Sequence, residues 1–276
     1  MSEIVSETWD RYKPRDRDRE SFDHFYDTRS SIGLVERPKV KANFEGHEFY
    51  IRFNPKYYLE SFTYKKKAFE EYKEFKRQGV KFPKFEEKHK NFYFNFEGDS
   101  YNANLRKYAR HILLLKNNIR IGKIVNFCEI GSGYGGLTEM LILNTGIKNY
   151  YLIDIPETLG IAKVWLSKYD NVKFISTEEF EQVCDASFPS IDLFFNSNSF
   201  GEMTKAQIKE YFDWIQTFNN CYLFSSNRLE RREGNELIRA LDYPYDKEWI
   251  TTFEQQIGDI KNPLHERLSM RGFSDA

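Results

Sequence analysis

Cysteine is scarce. The 276 residues hold three, Cys128, Cys184 and Cys221, far apart and never in a CxxC pair. That argues against a disulfide framework and against a thiolate zinc site, and it suits a reducing compartment. Long apolar runs are missing as well. None approaches the ~18 residues needed to span a bilayer. The opening stretch, MSEIVSETWDRYKPRDRDRE, lacks the apolar core of a secretory signal. The expectation is a soluble, cytoplasmic protein with no membrane span. Charge of one sign is absent too. The 41 Lys and Arg are balanced by 42 Asp and Glu, for a formal net charge of -1. Nothing in that balance predicts a nucleic-acid partner.

What is present is globular. The chain is 40% hydrophobic and 30% charged, enough for one large domain or two small ones with a sizeable core. Aromatics reach 17%, and stretches such as KNFYFNF (90–96) crowd them into the first hundred residues. They suit either a packed core or a surface on which a sugar stacks.

Three regions follow from the patterning. Residues 1–20 form a flexible charged lead-in. Its Asp16-x-Asp18 lies between arginines and reads as a solvated charge run rather than a metal motif. Residues 21–120 read as mainly helical, with helices over 55–79, stopped by Gly79, and over 100–118, capped by Ser100. Between them lies a loop or a short strand pair. This region serves either as a lid shaping an acceptor pocket or as the arm of a homodimer. From 121 to 276 the rhythm changes. KIVNFCEI, NYYLIDI, NVKFIS, IDLFFN and NCYLFSS are strands, and helices separate them. Pro156 opens one helix, Ser176 with Glu179 forms a capping box, and Thr204 with Gln207 opens another. The alternation predicts an α/β fold with a Rossmann-like, doubly wound parallel sheet. A short helix near 234–241 and two late strands, 249–256 and 265–270, complete it. The last two are expected to pair antiparallel at the sheet edge.

The chemistry gathers in CEIGSGYGG (128–136), with four glycines in six residues. In such a sheet, ligands bind beyond the carboxyl ends of the strands, at the switch point. Gly131-x-Gly133-x-x-Gly136 formally fits a dinucleotide fingerprint. Gly131-x-Gly133-x-Gly135 after Glu129-Ile130 fits an S-adenosylmethionine loop. Glu129 favours the second, because a carboxylate at the strand end repels a pyrophosphate and attracts the methionine ammonium. Asp154 ends the next strand, where it accepts ribose hydroxyls or caps the helix opened by Pro156. Ser132, Tyr134, Ile155, Ser176, Thr177 and Asn196 complete the expected donor site.

Three stretches, EIGSGYGGLTEML, YYLIDIPETLGIAK and FNSNSFGEM, together resemble the sugar O-methyltransferases of bacterial surface-polysaccharide and glycan gene clusters. The similarity spans about residues 100–270. It implies S-adenosylmethionine as donor and a sugar or glycan hydroxyl as acceptor. Glu202, just after the fourth strand, is the first choice for the base that takes the hydroxyl proton, and His265 is the second. Asn196, Ser197 and Asn198 would orient the acceptor. Tyr101 and Arg106 would touch the acceptor or the methionine carboxylate. No metal ligand cluster stands out, and metal assistance stays open. The competing readings are a methyltransferase for another small molecule or a protein side chain, a nucleotide-dependent oxidoreductase, and a cofactor-binding scaffold.

Overall fold

The computed structural model describes residues 40–44, 47–51, 70–83, 94–96, 99–101, 103–180, 188–233, 236–258 and 263–273. Two compact units divide them. One holds 118–138 and the chain from 145 onward; the other holds the described residues up to 117 together with 139–144. The charged lead-in, His24, Cys184 and most of the first expected helix lie outside the described residues.

The first unit is built on a seven-stranded sheet. Its strands are β5 (Asn126–Ile130), β6 (Asn149–Asp154), β7 (Val172–Ser176), β8 (Leu193–Ser197), β9 (Cys221–Arg228), β12 (Trp249–Ile257) and β13 (Leu264–Arg271). Their order is β12-β13-β9-β8-β5-β6-β7. From β7 to β9 all neighbours are parallel. The central strands are apolar along nearly their whole length, as strands covered on both faces must be. Phe127, Phe194, Phe195 and Phe224 are fully buried. Phe195 and Phe224, neighbours on adjacent strands, stack with centroids 4.7 Å apart.

The two late strands do pair antiparallel, as expected. Their order is less obvious: the final strand, β13, inserts between β9 and β12 and runs antiparallel to both. The expected short helix near 234–241 is instead a hairpin, β10 (Glu230–Glu233) with β11 (Glu236–Arg239), followed by a single 3-10 turn at Ala240–Asp242. The signal was present. Gly234-Asn235 between two short segments is a hairpin dipeptide.

Local signals held at several other element ends but not at Ser100, which lies in the short strand Asp99–Tyr101, while the helix it was expected to cap begins at Ala103. The helix Lys205–Ile215 opens with the full capping box: Gln207 N–H donates to Thr204 Oγ1 at 3.2 Å, and Thr204 N–H donates to Gln207 Oε1 at 2.9 Å. Ser176 and Glu179 exchange the same pair of bonds, each 3.2 Å. Pro156 is the first residue of the helix Pro156–Trp165.

The second unit contains two hairpins, β1 (Val40–Phe44) with β2 (His47–Ile51) and β3 (Phe94–Phe96) with β4 (Asp99–Tyr101). The first was not expected in a region read as mainly helical; along β1, Val40, Ala42 and Phe44 alternate with Lys41 and Asn43. Residues 70–77 are helical, and α1 (Ala103–Asn118) buries Leu105, Ala109, Ile112 and Leu115 on one stripe. His111, also on α1, is buried. Tyr72 packs on Phe82 at 4.4 Å, and the Asn144 amide brackets Lys81, accepting from its N–H at 2.8 Å and donating to its carbonyl at 2.7 Å.

Candidate functional site

Strand order reverses between β5 and β8, so the loops leaving these two strands frame the crevice at the sheet's carboxyl edge. The loop after β5 is the glycine stretch. Gly131 has φ +74°, Gly133 +57° and Gly135 +85°. At Gly131 the reason is visible on both counts. The left-handed backbone disfavours a side chain, and a Cβ there would collide with the side chain of Ser199 from the loop after β8. Gly131 N–H donates to Ile153 O at 2.8 Å, which ties the loop to β6.

Asp154 ends β6 and faces this loop. Its Oδ2 accepts from Gly133 N–H at 2.7 Å and its Oδ1 from Ile155 N–H at 2.8 Å. Burial pushes its carboxyl up to about 7, against the pull of those two bonds; the charges of Glu202 and Glu157 add to the rise. Asp154 ties the glycine loop to the start of the following helix, but it is not that helix's cap: the N-cap position is Ile155, with no side-chain cap bond.

Glu129 is 4% exposed within an apolar strand. Its Oε2 accepts from Thr138 Oγ1 at 2.7 Å, which holds the carboxylate against the first turn of the helix Gly136–Asn144. Ser132 is buried, and its hydroxyl has no partner among the described residues. Tyr134 turns inward, its ring edge-on to Trp165 at 5.2 Å and folded over Gly136. Thr177 is buried and its N–H donates to Asp154 O at 3.0 Å; Ser176 is occupied by its capping box.

The loop after β8 is the other wall. Asn196, expected to face ligand, is fully buried and committed within the protein. Its amide donates to Ile130 O at 3.0 Å, and its Oδ1 accepts from Phe200 N–H at 3.2 Å and Asn227 Nδ2 at 2.8 Å. The reason is its place in the middle of the sheet, in register with Ile130 on one side and Ser225 on the other. Ser197 follows with a buried hydroxyl that has no partner among the described residues. Asn198 is exposed and holds φ +68°, a conformation uncommon for a residue with a side chain. Glu202 sits on the 3-10 turn Phe200–Glu202.

His265 lies on β13, opposite Asn227 of β9. It is 2% exposed, and its Nε2 is 2.7 Å from Glu254 Oε1. The ring is thus enclosed in the antiparallel edge and not displayed at the rim. Tyr101 and Arg106 belong to the second unit; Tyr101 ends β4, and Arg106 Nε is 3.3 Å from Glu71 Oε2. Among the described residues no group of three or more His, Cys, Asp or Glu is arranged to hold a metal ion, and no helix is long and apolar enough to cross a membrane.

Sequence reasoning missed Ser199, Asn227, Glu157 and Arg231. Glu157, with a buried Oε2 that has no partner among the described residues, could have been noticed from its place in the first turn behind Asp154. The other three carry no short-range signal.

No family model and no curated protein matches the chain. Solved structures do. The N-methyltransferase NodS from Bradyrhizobium japonicum WM9 matches with a TM-score of 0.50 at 16% identity, over 60% of this chain and 97% of that one. Magnesium protoporphyrin IX methyltransferase (ChlM) from Synechocystis PCC 6803, solved with bound SAM, gives 0.47 at 12% identity, over 61% and 80%. The mitomycin 7-O-methyltransferase MmcR gives 0.44 at 13%, over 62% and 57%. At such identities the likeness is one of fold. The first unit has a seven-stranded, Rossmann-like sheet, the fold it shares with that N-methyltransferase.

Proposed function

We propose that this chain is an S-adenosylmethionine-dependent O-methyltransferase whose acceptor is a sugar hydroxyl of a bacterial surface glycan or its nucleotide-linked precursor. The observation that carries the reading is the meeting of two loops at the switch point. Ser199 packs on Gly131, and the Glu202 charge acts on Asp154. These support a reading in which Glu202 takes the acceptor proton next to a loop that holds the nucleoside.

The residues present fit the donor. Asp154 retains lone pairs for ribose hydroxyls beyond the two backbone bonds it accepts. Glu129 supplies a carboxylate for an ammonium group. Among the described residues, Ser132 Oγ, Ser197 Oγ and Glu157 Oε2 are buried polar atoms without partners, and a polar ligand would satisfy them. Bound there, S-adenosylmethionine supplies a methyl group activated towards attack by an oxygen nucleophile. The chain's own task is to align the acceptor oxygen and remove its proton. Ser197 and the exposed Asn198 offer hydrogen bonds to a polyhydroxylated acceptor, and Glu202 accepts the proton as the new C–O bond forms.

Titration calorimetry with S-adenosylmethionine and with NAD tests the donor; only the first is expected to bind. A panel of nucleotide-linked and polymer-terminal sugars with radiolabelled donor tests the acceptor. Glu202→Gln is expected to lower turnover about 10²-fold or more while sparing donor affinity. Methylation of RNA, DNA or protein lysine with every sugar inert would end the sugar assignment.

A further inference from the structure

The hairpin β10–β11 takes the place where the sequence suggested a helix, and one of its side chains reaches back to the loop that carries Glu202. Arg231 Nη1 donates to Gly201 O at 2.7 Å, and its Nη2 donates to Met203 O at 2.5 Å. These are the two carbonyls flanking Glu202. A guanidinium is planar and presents paired donors in a fixed fork, so it can bridge two acceptors that a single ammonium cannot hold in the same geometry.

Other contacts fix the remaining backbone of this turn. Gly201 N–H donates to Asn227 Oδ1 at 2.9 Å, and Glu202 N–H donates to Ser199 O at 2.8 Å. Asn198 N–H donates to Ser226 O at 2.8 Å and holds the left-handed residue at the loop's start. An exposed ion pair, Lys205 Nζ to Glu236 Oε1 at 3.1 Å, links the same hairpin to the helix beyond the turn. At its open end the hairpin ladder is extended by Ala240 N–H to Leu229 O at 2.9 Å. The loop is therefore held by β9 on one side and by the hairpin on the other. Within it the Glu202 side chain makes none of these holding contacts.

We infer that Arg231 is a positioning residue: it clamps the carbonyls on either side of Glu202 and so fixes the place of that carboxylate on the loop after β8. The inference rests on the reading of Glu202 as the base, and it adds a residue to that machinery that touches neither donor nor acceptor. A displaced carboxylate loses alignment with the acceptor proton, and small misplacements of this kind cost large factors in rate.

Arg231→Lys keeps the charge and loses the fork; Arg231→Gln loses both. In each variant, amide hydrogen exchange at Glu202 and Met203 is expected to speed up about 10-fold or more, with exchange in β5 and β8 unchanged. Asp154 then reports where Glu202 has gone. Its titration, followed by carbon-13 NMR of labelled aspartate and assigned with Asp154→Asn, is expected to move down in Arg231→Lys, in the same direction as in Glu202→Gln. The double variant Arg231→Lys/Glu202→Gln is expected to move it no further. Affinity for S-adenosylhomocysteine should stay within about 2-fold of the parent. Unchanged exchange at 202–203 together with an unchanged Asp154 titration in Arg231→Lys would overturn the inference. So would a double variant whose titration shift is the sum of the two single shifts. Should Arg231→Gln fail to fold, Arg231→Lys carries the test alone. The base assignment fails separately, through full turnover of Glu202→Gln on a sugar acceptor, because neither exchange nor titration requires an acceptor.

Discussion

Asp154→Asn separates the two roles of that carboxylate. In the native protein the group ionises near 7, whereas an unfolded aspartate ionises near 3.8. An acid with a raised native value binds its proton more tightly when folded. Between about pH 4 and pH 7 the native state therefore holds more protons than the unfolded state, and stability falls as pH rises through that window. Below the window the cost is absent, and above pH 7 it is complete. One pKa unit corresponds to about 1.36 kcal/mol, so raising the pH from 5 to 8 costs the parent at most about 3 kcal/mol from this group. Asparagine has no such titration. It also has only one carbonyl oxygen for two backbone donors, so either Gly133 N–H or Ile155 N–H is left facing an amide NH₂. That lowers stability at every pH by about 1–3 kcal/mol. The expected outcome is a variant less stable than the parent at pH 5 that gains on it steadily towards pH 8. Urea unfolding at several pH values, with unchanged m, measures the gap. Parallel stability curves would refute the burial argument. Calorimetry on the same variant reads the other role: S-adenosylmethionine should bind about 1–3 kcal/mol more weakly, and full-strength binding would remove Asp154 from the donor site.

Gly131→Ala meets both a left-handed backbone and the Ser199 side chain; a loss of about 2–4 kcal/mol is expected, and Ser199→Gly in that background should restore the steric part alone. Equal thermal midpoints for Gly131→Ala and the parent would show that the loop does not pack this way. Asn196→Ala removes bonds to Ile130, Phe200 and Asn227 at a fully buried position, so chemical denaturation should report a loss of at least about 3 kcal/mol. Arg271 is largely buried and pairs with the more exposed Asp246 and Glu248. Arg271→Met should cost about 1–2 kcal/mol, and the gap should narrow in molar salt as screening weakens the parent's pairs.

The features legible in the sequence are those whose causes lie within a few residues. Apolar runs separated by amphipathic stretches marked the five parallel strands and the helices between them. Pro156 and Thr204 with Gln207 marked helix starts, because a cap is satisfied one turn away, and Ser176 with Glu179 marked the turn after β7. Four closely spaced glycines after Glu129 marked the loop, because backbone conformation there is a property of the residue itself. The tertiary structure decided what depends on partners far along the chain. Asn196 looks like a ligand-facing amide until Ile130, 66 residues away, and Asn227, 31 residues away, take its hydrogen bonds. His265 looks like a second base until the fold encloses it against Glu254. Asp154 is an ordinary carboxylate in sequence; its proton affinity rises because the fold removes water from it and brings the Glu202 and Glu157 charges near. Arg231 is one charge in a charged stretch, and only the hairpin sets its two donors on the carbonyls around Glu202. Periodicity and capping are local interactions that recur wherever the same few residues recur. Hydrogen-bond partnership and dielectric surroundings belong to a point in space, and which side chains share that point is settled only when distant strands pair.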